Sequence, residues 1–304
     1  MTRRARANVM LLAAAAIWGS AFVAQRLGAA VMPPAAFTGV RHLIGALVLL
    51  PVVAWYDRAR GFSLSEGRYR WRTALVPGTV IGTALFFGSY LQQFGLEYTT
   101  AGNAGFITSL YMVFVPLAGL AIGHRVSRWV WVGVVLATLG LYLLSVRDGF
   151  TMSLGDTLVL ACAVAWTVQI LLVDRYASTL DPIRLACVEF LACGVIATIL
   201  ALVTERDPFV GTMAAAIPLL YAAVLSTGVG FTLQMLAQRD TKPSTAALIM
   251  ALEAVFALAA GILVLGERMD AREMVGCALM LAGIVIAQRT PSGPAVPGHP
   301  EARL

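Results

Sequence analysis

The chain reads as long apolar stretches separated by short polar connectors. The stretches fall at 8–26, 35–55, 74–95, 101–122, 128–146, 155–173, 183–204, 213–236, 243–265 and 272–288. A helix rises about 1.5 Å per residue, so about 20 apolar residues cross a hydrocarbon layer of roughly 30 Å. Every stretch is near that length, which predicts an all-α, polytopic membrane protein with ten transmembrane helices. Residues 1–24 imitate a secretory signal, because Arg3, Arg4 and Arg6 precede an Ala-rich run. Nine further stretches follow, and the run is itself long enough to span, so an uncleaved first helix is expected. Residues 290–304 hold Pro291, Pro294, Pro297 and Pro300. Proline lacks the backbone donor a helix needs, so this Pro-rich tail is predicted to be disordered.

Composition sharpens this picture. Of 304 residues, 59% are hydrophobic and 12% charged, against about 25% charged in an ordinary soluble protein. That excludes a water-soluble globule, and with it the nucleic-acid partner that a net charge of +6 would otherwise invite. The surplus of Arg reports orientation instead. With the amino terminus in the cytoplasm, 16 of the 22 Lys and Arg lie on the inner side, while the outer connectors carry Glu97, Asp148, Glu205, Asp207, Glu267 and Asp270. Both termini are therefore expected to be cytoplasmic. Cys162, Cys187, Cys193 and Cys277 all fall inside apolar stretches with no metal-ligand spacing. They are expected to behave as small hydrophobes, with no disulfide and no metal site.

The same pattern occurs twice along the chain. Trp18 matches Trp166, Pro34 matches Pro182 and Arg41 matches Glu189, all at an offset of 148. Further on the offset shortens, and SYLQQF (89–94) lies over FTLQML (231–236), Asn103-Ala104 over Thr245-Ala246, and Gly133 and Gly140 over Gly276 and Gly283. Each unit holds five stretches, an odd number, so the second copy must enter the membrane from the opposite side. The expectation is two inverted five-helix repeats, 1–147 and 148–289, followed by the tail at 290–304. Two such units can rock about a midplane site and open it alternately to each side.

Three segments resemble the drug/metabolite transporter superfamily in its EamA-type branch: AAIWGSAFVAQR (15–26), TTAGNAGFITSLYMVFVPLAGLAIG (99–123) and ALIMALEAVFALAAGILVLGERMDAREMVGCALMLAGIVI (247–286). The similarity covers residues 8–288, and Glu253 with Leu265-Gly266-Glu267 is its most specific part. The first unit departs from it, carrying Gly123-His124-Arg125 where the second has Gly266-Glu267-Arg268. The resemblance implies a ten-helix permease of the cytoplasmic (inner) membrane that handles amino acids, other metabolites or drug-like compounds, often outward. Its partners would be the lipid bilayer and a small-molecule solute, with no cofactor.

Ionisable groups inside hydrocarbon are costly and are usually turned to the bundle interior or to water. Glu253 lies at the centre of the ninth stretch. It reads either as a proton-titrating or substrate-binding carboxylate, which would make a coupling proton a further partner, or as a structural carboxylate bonded to a neighbouring helix. Tyr111 is its counterpart by the repeat and a candidate donor to it. Arg41 and Glu189 each sit seven residues into their stretches, about 10 Å from the starting interface, and inversion puts them near opposite faces. Arg41 reads as a holder of a substrate carboxylate or phosphate, or as a guanidinium that snorkels to the interface. Glu189 has Arg184 nearby in sequence, and both roles stay open for it. His42 reads as a polar interface residue. Trp18, Phe22 and Gln25 share one helix face at i, i+4, i+7, as do Trp166 and Gln169 at i, i+3, and Gln92 and Gln234 are repeat-matched. With Tyr90, Gln93, Asn103 and Tyr221 they can line a neutral, aromatic cavity for amphipathic molecules, or they can be interhelical glue. Gly119 and Gly123 form a small-xxx-small pair that admits a homodimer. Pro77, Pro116 and Pro218 are candidate kinks.

Two other functions compete. An intramembrane enzyme would need a His-Glu-x-x-His helix or two midplane Asp residues, and the sequence offers neither. Lys242, the sole lysine, is at an interface rather than buried for a Schiff base. A channel would show a filter-like loop or a ring of charges. A phosphate-binding Gly loop is missing from the sequence too, which points away from ATP and toward a secondary transporter rather than an enzyme.

Overall fold

The computed structural model describes residues 2–145, 153–265 and 270–289. The Pro-rich tail and the Gly266-Glu267-Arg268 triplet lie outside the described residues, as does Asp148. Within the described residues the chain forms thirteen α-helices and one π-helical segment. The first half contains α1 (Arg3–Ala29), α2 (Pro34–Arg60), α3 (Leu64–Gly95), α4 (Ala101–Ser109), α5 (Tyr111–Ala121) and α6 (Arg128–Ser145). The second contains α7 (Leu154–Ala177), α8 (Pro182–Thr204), α9 (Ala216–Leu220), the π-helical segment Tyr221–Phe231, α10 (Thr232–Ala237), α11 (Pro243–Met250), α12 (Glu253–Leu265) and α13 (Ala271–Ala287).

Local chemistry sets where these helices begin. Ser63 with Glu66, Ser153 with Asp156 and Asp270 with Glu273 form capping boxes at α3, α7 and α13, each satisfying two otherwise orphaned backbone donors. Pro34 and Pro182 stand at the first position of α2 and α8, where a missing N–H costs nothing. Gly61 ends α2 at φ 66°, and Gly123, at φ 87°, turns the chain after α5. That turn gives Gly123 a local reason for being glycine, separate from any helix pairing.

All ten apolar stretches coincide with helical segments. Among the described residues eight are long and apolar enough to cross a membrane by length and composition, and Arg128–Leu143 is a shorter apolar helix; Ala271–Ala287 has 17 residues. Two stretches are interrupted, one at Leu110 and one at Ala251–Leu252. These interruptions fall away from the prolines, since α2, α3 and α5 run on through Pro51, Pro77 and Pro116. Pro218 sits in α9, just ahead of the π-helical segment. Exposed Leu47, Leu139, Val203, Ile217 and Val285 form an apolar exterior of the kind a lipid environment accommodates.

The halves meet along several seams: α6 on α13, α2 on α8, α3 on α7 and α8, and α1 on α12. Glycine lets backbones touch at the first of these. A Cβ at Gly133 would lie 2.5 Å from the Gly283 carbonyl oxygen, and one at Gly140 would lie 2.5 Å from that of Gly276. The α2–α8 pair is fastened at both ends. At one end the Arg184 side chain donates to both carboxylate oxygens of Asp57 and, at 2.7 Å, to Asp181, with Arg70 3.6 Å from Asp181. At the other, Glu205 accepts from the backbone N–H groups of Ala35 and Ala36 at 2.8 and 3.1 Å. Asp57 and Glu205 are separated by the same 148 residues as Trp18 and Trp166, and so are Ala36 and Arg184. Burial pushes the Glu205 carboxyl above the ordinary carboxylate range, against the pull of its two backbone donors. Glu97 moves the same way, through its own burial and the nearby Glu205 charge.

Candidate functional site

One small cavity lies where α1, α2, α3, α4, α5, α7, the π-helical segment, α10, α11 and α12 converge. It is lined by Trp18, Phe22, Gln25, Arg41, Gln92, Thr108, Tyr111, Trp166, Gln169, Ile170, Ser226, Phe231, Gln234, Met250 and Glu253. Apart from half-buried Trp18, every one of these residues is buried. The free space among them is about 40 Å³, room for a few water molecules.

Ten of the residues singled out from the sequence meet here: Trp18, Phe22, Gln25, Arg41, Gln92, Tyr111, Trp166, Gln169, Gln234 and Glu253. Glu189 does not line the cavity. It stands behind it, accepting from Gln169 Nε2 at 2.8 Å. Asn103 is exposed at the start of α4, and Tyr90 and Tyr221 also lie off the lining, Tyr221 bonded to Ser20 at 2.6 Å.

Arg41 does not snorkel. It is 2% exposed, and its Nη1 donates to Gln25 Oε1 at 2.9 Å. Gln25 is fixed in turn by Gln93 Nε2, which donates to its backbone carbonyl at 3.1 Å. Arg184 serves the end of the α2–α8 pair rather than Glu189. His42 is fully buried, with Nδ1 2.8 Å from the Thr38 carbonyl and Nε2 3.5 Å from Ser89 Oγ.

The amides are glue and lining at once. Gln92 donates to Thr108 Oγ1 at 3.1 Å, and Gln234 Nε2 faces Gln169 Oε1 at 3.1 Å and Gln238 Oε1 at 2.8 Å. Gln238 donates to the Ile170 carbonyl. Glu189 therefore reaches the cavity through a run of glutamines. Among the described residues its other oxygen, Oε2, has no hydrogen-bond partner, and neither does Arg41 Nε.

Glu253 is the first residue of α12, directly after the Ala251–Leu252 interruption. The free N–H groups of a helix start carry partial positive charge, so this is a favourable place for a carboxylate inside a bundle. Ser109 Oγ, beside the interruption in the first half, is 3.5 Å from Glu253 Oε1. The Tyr111 hydroxyl is directed at the Glu253 carboxyl. Gly19 brings α1 onto this point, since a Cβ there would lie 2.5 Å from the Glu253 carbonyl oxygen.

An aromatic group fills the centre. Phe231 lies 4.8 Å from Trp18 and 5.5 Å from Trp166, nearly parallel to the latter at 21°. Trp166 packs over Gly88 and Trp18 over Gly230, two glycines that the offset of the 89–94 and 231–236 segments also matches. The Trp18 Nε1 donates to the Ser226 carbonyl at 3.1 Å, inside the π-helical segment. Phe231, Thr108, Ser226, Met250 and Ile170 were not singled out by sequence reasoning. For Phe231 a signal existed: Phe22-x-x-Gln25, Trp166-x-x-Gln169 and Phe231-x-x-Gln234 repeat one aromatic-to-amide spacing.

Chemically, the cavity offers a guanidinium, a carboxylate, several amides and aromatic faces. Among the described residues there is no group of three or more His, Cys, Asp or Glu that could hold a metal ion.

A family model described as the EamA-like transporter family matches residues 5–146 and again 153–288. An uncharacterized transporter from Archaeoglobus fulgidus is 34% identical over 285 residues, covering 93% of this chain and 86% of its own. The threonine/homoserine exporter RhtA of Escherichia coli K12 is 28% identical over 280 residues, covering 90% and 88%. A solved crystal structure superposes with a TM-score of 0.73 over 92% of this chain and 96% of its own, at 20% identity, which speaks to the fold alone.

Proposed function

Because the chain belongs to the EamA-like transporter family, and is thus a multi-pass membrane transporter of small organic solutes rather than an enzyme, we propose that it is a secondary active carrier working by alternating access. The observation that carries this reading is the convergence of residues from both halves on one cavity. Trp18, Gln25, Arg41, Gln92 and Tyr111 come from the first half, and Trp166, Gln169, Gln234 and Glu253 from the second.

In this reading the chain crosses the membrane ten times as two inverted five-helix repeats, 1–147 and 148–289, with both termini cytoplasmic. The reciprocal contacts of Gly133 with Gly283 and Gly140 with Gly276 support it. So does the position of the two interruptions, which share the 142-residue offset of Gln92 and Gln234 when Leu110 is laid over Leu252. A two-fold relation requires that each contact occur twice in this way. The solute is small and amphipathic, of amino-acid-like or drug-like character. Aromatic faces take its apolar body, Arg41 takes an anionic end, and Glu253 takes a cationic end or a coupling proton. RhtA is named for export, and outward movement is proposed here too.

The test uses protein reconstituted in liposomes. Substrate-stimulated counterflow is expected of a carrier and not of a channel. Glu253→Gln is expected to abolish pH-dependent transport. If that variant keeps both the rate and the pH dependence of the wild type, Glu253 is not the coupling group.

A further inference from the structure

We propose that Phe231 sets the size limit of the transported solute: its ring holds the place between Trp18 and Trp166 that the solute's apolar body takes. This rests on the reading of the cavity as the transport site. The cavity's free space, about 40 Å³, is too small for any amino acid, so something must leave before a solute enters. The side chain at the centre is the candidate. Phe231 is stacked on Trp166, tilted against Trp18 and 6.1 Å from Phe190, so it bridges the first helices of the two halves.

Two features single Phe231 out from its aromatic neighbours. Trp18 and Trp166 are matched by the repeat, whereas the position matching Phe231 is Ser89, a small buried residue near His42. The ring thus fills the centre from one side only. It is also the last residue of the π-helical segment. A π-helix is wider than an α-helix and is usually found as a single turn at functional sites. Retightening part of this segment into α geometry rotates Phe231 about the helix axis and withdraws it from between the tryptophans. The Trp18 Nε1 bond to the Ser226 carbonyl lies in the same segment, so the ring's departure is tied to a contact that Trp18 must release. The space vacated is flat and walled by two indoles, suited to an aromatic or branched apolar body. Shortening Phe231 therefore shifts preference toward larger solutes.

The experiment has two arms on the purified full-length protein, comparing wild type, Phe231→Ala, Phe231→Leu and, as a control on the outer face of α3, Phe87→Ala. In the first arm indole is added and thermal unfolding followed. An apolar cavity opened by truncation binds a matching aromatic molecule, so indole is expected to raise the melting temperature of Phe231→Ala by about 2–4 °C. A smaller rise is expected for Phe231→Leu and none for wild type or Phe87→Ala. An equal shift in all four, or none in either Phe231 variant, overturns the proposal. In the second arm, counterflow of L-threonine and L-tryptophan is compared in liposomes. The preference for tryptophan is expected to rise about tenfold in Phe231→Ala, and a ratio unchanged in both variants overturns the proposal. If the alanine variant does not fold, the leucine variant answers both arms with smaller shifts. If wild type moves neither amino acid, the solute class proposed above fails, and the indole arm alone decides the role of Phe231.

Discussion

The two halves of the molecule place opposite charges at the same station and answer them with the same residue. In the first half Arg41, on α2, donates to the oxygen of Gln25 from α1. In the second, Glu189, on α8, accepts from the nitrogen of Gln169 from α7. Glutamine carries both a donor and an acceptor, so turning the amide end for end serves either charge. The halves differ again at the centre, where Tyr111 is matched by Glu253 and Ser89 by Phe231. The lesson is that duplication supplied the positions and substitution supplied the chemistry. Arg41 faces the cavity while Glu189 stands one glutamine behind it, so matched positions need not have equal access to a solute.

The largest expected effect breaks the comparison at the ends of α2 and α8. Arg184→Ala leaves Asp57 and Asp181 without their shared partner. Removing one member of a buried pair typically costs 3–5 kcal/mol; with the Asp57 side chain 27% exposed, about 2–3 kcal/mol is expected, read as a lower melting temperature in detergent. At the matched end, Glu205→Ala removes only a cap on Ala35 and Ala36 and is expected to cost about 1 kcal/mol. Equal losses would mean that the two ends are not as different as their chemistry implies.

Next comes the contrast between the two buried charges. Arg41→Met is expected to lower transport kcat/KM by roughly 10- to 100-fold, the scale of a lost hydrogen bond to a charged group. Glu189→Gln keeps an oxygen for Gln169 and leaves the cavity lining intact, so a change below about threefold is expected. Liposome uptake of the same solute by both variants checks this, and equal loss would place Glu189 in the lining after all.

The smallest effect is a pH dependence of stability at Glu205. Its pKa is raised in the folded protein, so the folded state holds this proton more tightly than the unfolded chain does. The contribution of Glu205 therefore increases stability as pH falls from above the raised value toward the ordinary carboxylate range, then levels off. The group is partly exposed, and the effect is expected to stay below about 1 kcal/mol. Melting curves across that pH range should show the slope in wild type and lose it in Glu205→Gln.

Much of the site could be read from residue spacing. Aromatics and amides three or four residues apart share a helix face, which is why Trp18 and Gln25, and Trp166 and Gln169, point to the same space. Glu189 shows where that reasoning stops. A buried charge was legible, but whether it met the solute or a glutamine depended on the rotation of α8 against α7, a tertiary fact. Arg41 failed the snorkelling reading for a similar reason, because Gln25 offers a partner inward. The interruptions at Leu110 and Ala251–Leu252 had no proline or glycine to mark them. Pro77 and Pro116, the candidate kinks, sit within continuous helices. The π-helical segment has no signature of its own, so Phe231 came into view only once its spacing to Gln234 was set beside its neighbours in space.

The glycine seam between α6 and α13 has a consequence for origins. Gly133 meets Gly283, and Gly140 meets Gly276, each pairing mirrored by the other through matched positions. A face that satisfies its own duplicate in this manner is self-complementary. On the inverted-repeat arrangement proposed above, a forerunner of half the length, threaded through the bilayer in both senses, would already have possessed the surface needed to assemble with itself, and fusing two copies into one polypeptide would have freed each to diverge.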